Sequence, residues 1–102
     1  MVRKLERTLT PWQQRVSDVV HAIPKGKTLG YSQVALLAGK PGAARAVVQA
    51  LHAIDDASLP WWRVVRTDGT IAVQMLQKQS RALKKEAVTL VGRRVDAASR
   101  WR

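Results

Sequence analysis

Ser58-Leu59-Pro60-Trp61-Trp62-Arg63-Val64-Val65 sets a proline, two adjacent indoles and an arginine directly before a β-branched pair. Neither the proline, the indoles nor the arginine is a nucleophile. The chemistry on offer is recognition: apolar contact, ring stacking, an N–H donor on each indole and a guanidinium. Trp has a large apolar body and one donor that wants a partner. On a strand, neighbouring side chains point to opposite faces. One indole would then pack inward while the other faces a pocket, a groove or water; two core tryptophans at a strand start is the other reading. Pro60 fixes its own φ and biases Leu59 toward extended backbone, so the pair enters from a stiff turn.

The rest of the chain offers little other chemistry. It has no cysteine, which excludes disulfides, thiolate zinc sites and a thiol nucleophile. His21 and His52 lack metal-ligand spacing and read as structural or surface residues. Ser17, Ser32 and Ser58 have no histidine and acid arranged as a triad. No cofactor and no metal is implied. The charge is more telling. Among 102 residues, 18 Lys plus Arg stand against 7 Asp plus Glu, a net +11. That excess calls for a polyanionic partner, with nucleic acid foremost. A membrane surface is the weaker candidate, because no apolar run is long enough to span a bilayer and no lipidation signal is present. The N-terminus lacks the apolar core of a signal peptide, so the expected location is the cytoplasm. With 46% hydrophobic residues, residues 1–102 are expected to fold as a single domain, with loose basic tails at 1–9 and about 92–102.

The elements that must position the indoles follow in order. Thr10 and Pro11 read as the cap and first position of a helix whose Trp12, Val16, Val19, Val20 and Ile23 share a face. Pro24 and Gly26 end it. A basic, glycine-punctuated loop leads to a short helix over 32–38, stopped by Gly39. After Lys40-Pro41-Gly42 comes a third helix over 42–54. Its Ala43, Val47, Ala50, Leu51 and Ile54 face inward, and its Arg45, Gln49 and His52 face outward. Two short helices on a tight turn, the second with a polar stripe, form the helix-turn-helix pattern. Residues 62–65 and 70–73, around a Thr67-Asp68-Gly69 turn, read as a hairpin wing. A last helix over 75–87 sets Leu76, Leu83 and Ala87 against Lys78, Arg81, Lys84 and Lys85. The expected fold is α/β, mostly α: a helix-turn-helix, winged-helix-like DNA-binding domain with a short β-hairpin wing.

Arg45 sits in the opening turn of the third helix, where a recognition helix meets DNA. Its neighbours Ala43, Ala44 and Ala46 are small enough to let backbone approach a target. Tyr31, just before the second helix, reads either as a half-buried ring or as a phosphate contact. Eight cations against two acids between Lys78 and Arg102 favour phosphate contact over a merely solvated face.

Trp12-Gln13-Gln14, Ile23-Pro24-Lys25-Gly26-Lys27, Gly30-Tyr31-Ser32-Gln33-Val34-Ala35, Ala43-Ala44-Arg45-Ala46-Val47 and Leu59-Pro60-Trp61-Trp62-Arg63-Val64-Val65 together resemble the C-terminal domain of O6-alkylguanine-DNA alkyltransferases. The resemblance covers about residues 10–90. The family's last motif is Pro-Cys-His-Arg-Val, whose cysteine takes the alkyl group. Trp61 stands at that cysteine, which is the mark of the alkyltransferase-like proteins that bind the lesion without removing it. Trp62 replaces the histidine that activates the thiol. Glu86 falls at the family's glutamate and is left a structural role, pairing with Arg63. The resemblance implies that Tyr31 pushes on the phosphate 3′ to the lesion, that Arg45 enters the base stack, and that Trp61 lines the pocket for the flipped base. It lets the Val64 carbonyl accept a hydrogen bond from that base. The family's Tyr-Ser pair, whose Ser helps read O6, is here Gln74-Met75. The loop at 55–58 lacks the family's Asn-Pro hinge.

The DNA and lesion contacts expected are thus Tyr31, Arg45, Gln49, Trp61, Trp62, Arg63, Val64 and Met75. The expected function is to bind duplex DNA carrying O6-alkylguanine, flip the lesion, and flag it for nucleotide excision repair without alkyl transfer. The expected partners are that DNA and repair proteins of the UvrA type, with the chain acting as a monomer in the nucleoid. A winged-helix transcription regulator reading undamaged sequence is the alternative.

Overall fold

A computed structural model describes residues 8–102. Four helices and four two-residue strands follow one another: α1 (Pro11–Ala22), β1 (Leu29–Gly30), α2 (Tyr31–Leu37), α3 (Ala44–Ala53), β2 (Val64–Val65), α4 (Leu76–Lys85), β3 (Leu90–Val91) and β4 (Arg94–Val95).

Helix α1 begins where its capping signals predict. The Gln13 N–H donates to the Thr10 hydroxyl at 3.0 Å, and the Thr10 N–H donates to the Gln13 side-chain oxygen at 3.1 Å. Each bond satisfies a donor that the helix itself leaves free. Val16, Val20 and Ile23 are buried. The Trp12 indole donates to the Ala46 carbonyl at 3.2 Å, which ties α1 to α3. Helices α2 and α3 form the expected helix-turn-helix, with Val47, Ala50 and Ile54 buried and Arg45, Gln49 and His52 exposed.

The tryptophan pair departs from the strand expected at 62–65. Asp56 accepts from both the N–H and the hydroxyl of Ser58, at 2.9 and 2.7 Å. Pro60 (φ −80°, ψ 63°) then sits at the centre of an inverse γ-turn closed by the Trp61 N–H and the Leu59 carbonyl at 2.8 Å. Trp61–Arg63 coils into a single 3₁₀ turn. The two indoles therefore diverge by about a third of a turn and do not alternate across a sheet. Their rings meet edge to face at 5.9 Å.

Only Val64–Val65 is extended, and it pairs in parallel with β1, not with 70–73. Gly30 allows the close approach there, since a Cβ on it would lie 3.1 Å from the Thr67 Cα. The turn at 67–69 forms as expected, with the Thr70 N–H and hydroxyl donating to Asp68. The hairpin, however, is β3–β4, against which 69–71 lies through Ile71 N–H to Arg93 carbonyl and Val95 N–H to Gly69 carbonyl bonds. The last helix stops at Lys85, and Ala87 is exposed with φ 66°.

The tail expected to be loose at 92–102 is docked. The Thr28 N–H donates to the Ser99 carbonyl at 2.7 Å, and the Trp101 N–H donates to the Thr28 carbonyl at 2.8 Å. Val95 is buried and Trp101 packs on the core. The basic composition hid this, because backbone pairing does not depend on side-chain charge. Of the looseness expected at 1–9, residues 1–7 lie outside the described residues, while Leu9 packs on the core.

Two apolar clusters result. The larger holds α1, α2 and α3 together through Val16, Val20, Val34, Val47 and Val64, and the smaller gathers Val65, Ile71, Leu83, Val88 and Val95. Strand β2 is the seam: Val64 belongs to one cluster and Val65 to the other. The same split holds for Trp61 and Trp62. Arg63, between them, ties the two halves. Its Nη2 lies 2.7 Å from Glu86 Oε2, its Nε donates to Glu86 Oε1 at 3.0 Å, and its Nη1 donates to the Ile23 carbonyl at 2.8 Å. Glu86 also accepts from the Gly26 N–H and the Trp62 indole, at 3.1 and 2.9 Å.

Burial works against a charged Glu86, but the bonds from Arg63, the Gly26 N–H and Trp62 outweigh it and hold the carboxyl below the usual carboxylate range. A folded-state value below the unfolded one adds stability that is complete above the unfolded value and lost as pH falls toward the folded one. Glu86→Gln, which leaves the Arg63 charge unpaired, should cost about 3 kcal/mol in urea unfolding at neutral pH. It should also flatten the fall in stability below about pH 4.5. An unchanged urea midpoint would show that the pair does not hold the halves together.

Candidate nucleic-acid interface

The split at the seam places the two indoles in different surroundings. Trp61 lines a cavity of about 190 Å³ with Tyr31, Val48, Leu51, His52, Met75, Lys78 and Gln79. Its walls come from the start of α2, one stripe of α3 and the start of α4. The mix of rings, aliphatic side chains and a few polar groups is that of a ligand site. At this size it suits one ring system.

Gln79 holds the mouth of the tryptophan turn in shape. It is 4% exposed, and its amide nitrogen donates to the Trp62 and Val64 carbonyls at 3.0 and 2.8 Å. Each such bond is worth about 1 kcal/mol net, and more is lost if the carbonyls are left bare. The Val64 carbonyl, expected to meet a flipped base, is thus already engaged by one donor.

A second, more open depression of about 740 Å³ adjoins the first. It is lined by Tyr31, Gly42, Ala44, Arg45, Val48 and Arg66. Tyr31 and Val48 belong to both, so the phenol and one valine separate Arg45 from the Trp61 cavity. Arg45 is exposed at the first turn of α3 among the small side chains that the sequence showed. Burial raises the Tyr31 phenol above its ordinary value, and the charge of Arg66 partly offsets this. The ring stays a neutral hydroxyl beside two cations.

Of the expected contacts, Tyr31, Trp61 and Met75 line the first cavity and Arg45 the adjoining one. The other four lie elsewhere. Trp62 turns to the far side of the seam and bonds to Glu86. Arg63 is 14% exposed, with its guanidinium spent on Glu86 and Ile23. Val64 is buried, and Gln49 is exposed outside both cavities. The 3₁₀ turn sends Trp62, Arg63 and Val64 inward, and Gln49 falls one position from the Val48–His52 stripe. His52, assigned to structure or surface from sequence, lines the cavity with Val48, Leu51, Lys78 and Gln79. A projection of α3 carries part of this signal, since 45, 48 and 52 form one stripe.

The fold and site now have recognisable counterparts. Residues 11–88 match the family described as 6-O-methylguanine DNA methyltransferase, DNA binding domain. The chain belongs to that family, on its alkyltransferase-like side. It is 46% identical over 82 residues to the DNA base-flipping protein of Escherichia coli, a match covering 78% of this chain and 64% of that one. The chain thus spans somewhat under two thirds of that relative's length. It is 36% identical over 81 residues to alkyltransferase-like protein 1 of Schizosaccharomyces pombe, covering 74% and 75% of the two chains. The crystal structure of S. pombe Atl1 in complex with damaged DNA containing O6-carboxymethylguanine superposes with a TM-score of 0.81 at 27% identity, over 93% of this chain and 98% of that one.

Tyr31 is the sole tyrosine of the chain, so an alkaline titration of phenolate absorbance reads one group. Its midpoint should lie above 10.0 in the folded protein and fall to the ordinary value in denaturant. Arg66→Ala should raise the folded midpoint further. A folded midpoint at or below the unfolded one would place Tyr31 outside the cavity wall.

Proposed function

We propose that this chain binds duplex DNA containing O6-alkylguanine, turns the modified nucleotide out of the stack and holds it against Trp61, without transferring the alkyl group. The observation that carries the reading is the juxtaposition at the seam. An indole stands at the family's cysteine position, in a cavity sized for one ring system, one residue's width from an exposed arginine on the opening turn of a recognition helix.

Each residue then has a physical task. Tyr31 crowds the backbone beside the lesion. Arg45 fills the gap that the base leaves, so the duplex recovers part of the few kcal/mol that extrusion costs. Trp61 and Met75 give the base an apolar seat, and stacking of this kind is worth about 1–3 kcal/mol. The remaining cations meet phosphates, which makes binding depend on salt. Alkyl transfer needs a thiolate, and this chain contains no sulfur nucleophile. The lesion therefore stays intact and is passed on, as part of nucleotide excision repair, to proteins of the UvrA type. The working unit is a monomer in the nucleoid. Gln74-Met75 stand where the family has its Tyr-Ser pair, so no serine hydroxyl reads O6 and recognition rests on shape, stacking and backbone.

One duplex measured with and without a single O6-methylguanine, at fixed salt, tests this. The lesion should tighten binding about tenfold or more, and no methyl group should leave the DNA. Trp61→Ala should remove most of that ratio while general affinity changes little. Arg45→Ala should weaken binding to the lesion more than to the undamaged duplex. Equal affinities for the two duplexes, with selectivity among undamaged sequences, would instead identify a transcription regulator.

A further inference from the structure

On the far side of the tryptophan turn lies a groove of about 440 Å³ to which the proposed function gives no contact with the lesion. It is lined by Lys25, Trp62, Lys78, Arg81, Ala82, Lys85 and Glu86. Lys78 also lines the Trp61 cavity, so the two share a wall. Its ammonium lies 5.8 Å from the Trp61 ring centroid.

Positions 78, 81, 82 and 85 form one face of α4, with three cations around a small alanine. Like charges at such spacings weaken a helix, and α4 has no acid in its own span to offset them. The single carboxylate of the groove, Glu86, is committed to Arg63 at 2.7 Å and to Trp62 at 2.9 Å. It does not neutralise Lys25, Lys78, Arg81 or Lys85. Four cations therefore gather along this groove, and Lys78 lines the cavity as well.

Resting on the proposed function, we infer that the site favours O6 substituents carrying a negative charge. Lys78 is the cation in the lining of the Trp61 cavity, so the end of a substituent seated at Trp61 meets it at the wall shared with the groove. A terminal carboxylate there meets Lys78 first and the field of Lys25, Arg81 and Lys85 beyond it. A neutral group of the same shape meets only the apolar part of the wall. Because Lys78 is exposed, the gain is that of a partly solvated ion pair, about fivefold in affinity.

The test compares one duplex carrying O6-carboxymethylguanine, O6-carbamoylmethylguanine, O6-methylguanine or guanine at one position, with the full chain at fixed salt. The carboxylate and the amide match in shape and differ in charge. The expected result is about fivefold tighter binding of the carboxylate than of the amide, a ratio that shrinks as salt rises and approaches one in Lys78→Gln. The ratio within each protein is the readout, so a general loss of affinity in the variant does not mimic it. Equal binding of carboxylate and amide, with O6-methylguanine still preferred over guanine, overturns the charge preference and leaves the proposed function standing. A ratio that survives in Lys78→Gln overturns the role given to that lysine. No preference for any modified duplex over guanine overturns both readings.

Discussion

One ion pair joins the two halves of the fold. Arg63 and Glu86 meet through two nitrogens and two oxygens, at side-chain exposures of 14% and 8%. The remaining donor of Arg63 reaches the end of α1, and Glu86 also takes the Gly26 N–H and the Trp62 indole. Three segments distant in sequence, 23–26, 62–63 and the end of α4, thus meet at this ion pair. Such a pair offers little net stability over an apolar replacement, but it punishes the loss of either partner. Its value lies in geometry: it sets the direction in which the residues before and after Arg63 can point.

That constraint explains how adjacent tryptophans come to do different work. With Arg63 pinned inward, a 3₁₀ turn leaves Trp62 toward Glu86 and Trp61 toward the cleft between α3 and α4. The same turn hands Val64 to the α1–α2–α3 core and Val65 to the smaller core around Leu83. The cavity is the gap where the two cores fail to close, and Gln79 keeps its rim from collapsing by bonding two carbonyls of the turn. Glu86 is a structural staple here, bonded to Arg63, the Gly26 N–H and the Trp62 indole.

The helical half of the molecule was legible in the sequence because its signals are local. Thr10, Pro11 and Gln13 announce α1, and the period of Val16, Val20 and Ile23 gives its face. The outward set Arg45, Gln49 and His52 came from a helical projection alone. The strand half was not legible, since its pairings are between segments far apart: β1 with β2, Thr28 with Ser99 and Trp101, and Ile71 with Arg93. Two-residue strands carry no alternation to read. The hairpin was placed on the Thr67-Asp68-Gly69 turn, whose chemistry is real, although its partner strand lay some twenty residues on. Of the residues that the motifs single out, Tyr31, Arg45 and Trp61 line the two adjoining cavities. His52, Lys78 and Gln79 entered only when α3 and α4 were brought together, which no local pattern reports.

The central claim is that a modified guanine lies with its O6 substituent against the Trp61 ring. The most direct measurement is the fluorine resonance of a duplex carrying O6-trifluoroethylguanine, titrated with the protein. Contact with the indole face should move the resonance upfield by ring current, and Trp61→Ala should abolish that shift while a complex still forms. A resonance that stays at its free-duplex position when the complex is saturated would contradict the account.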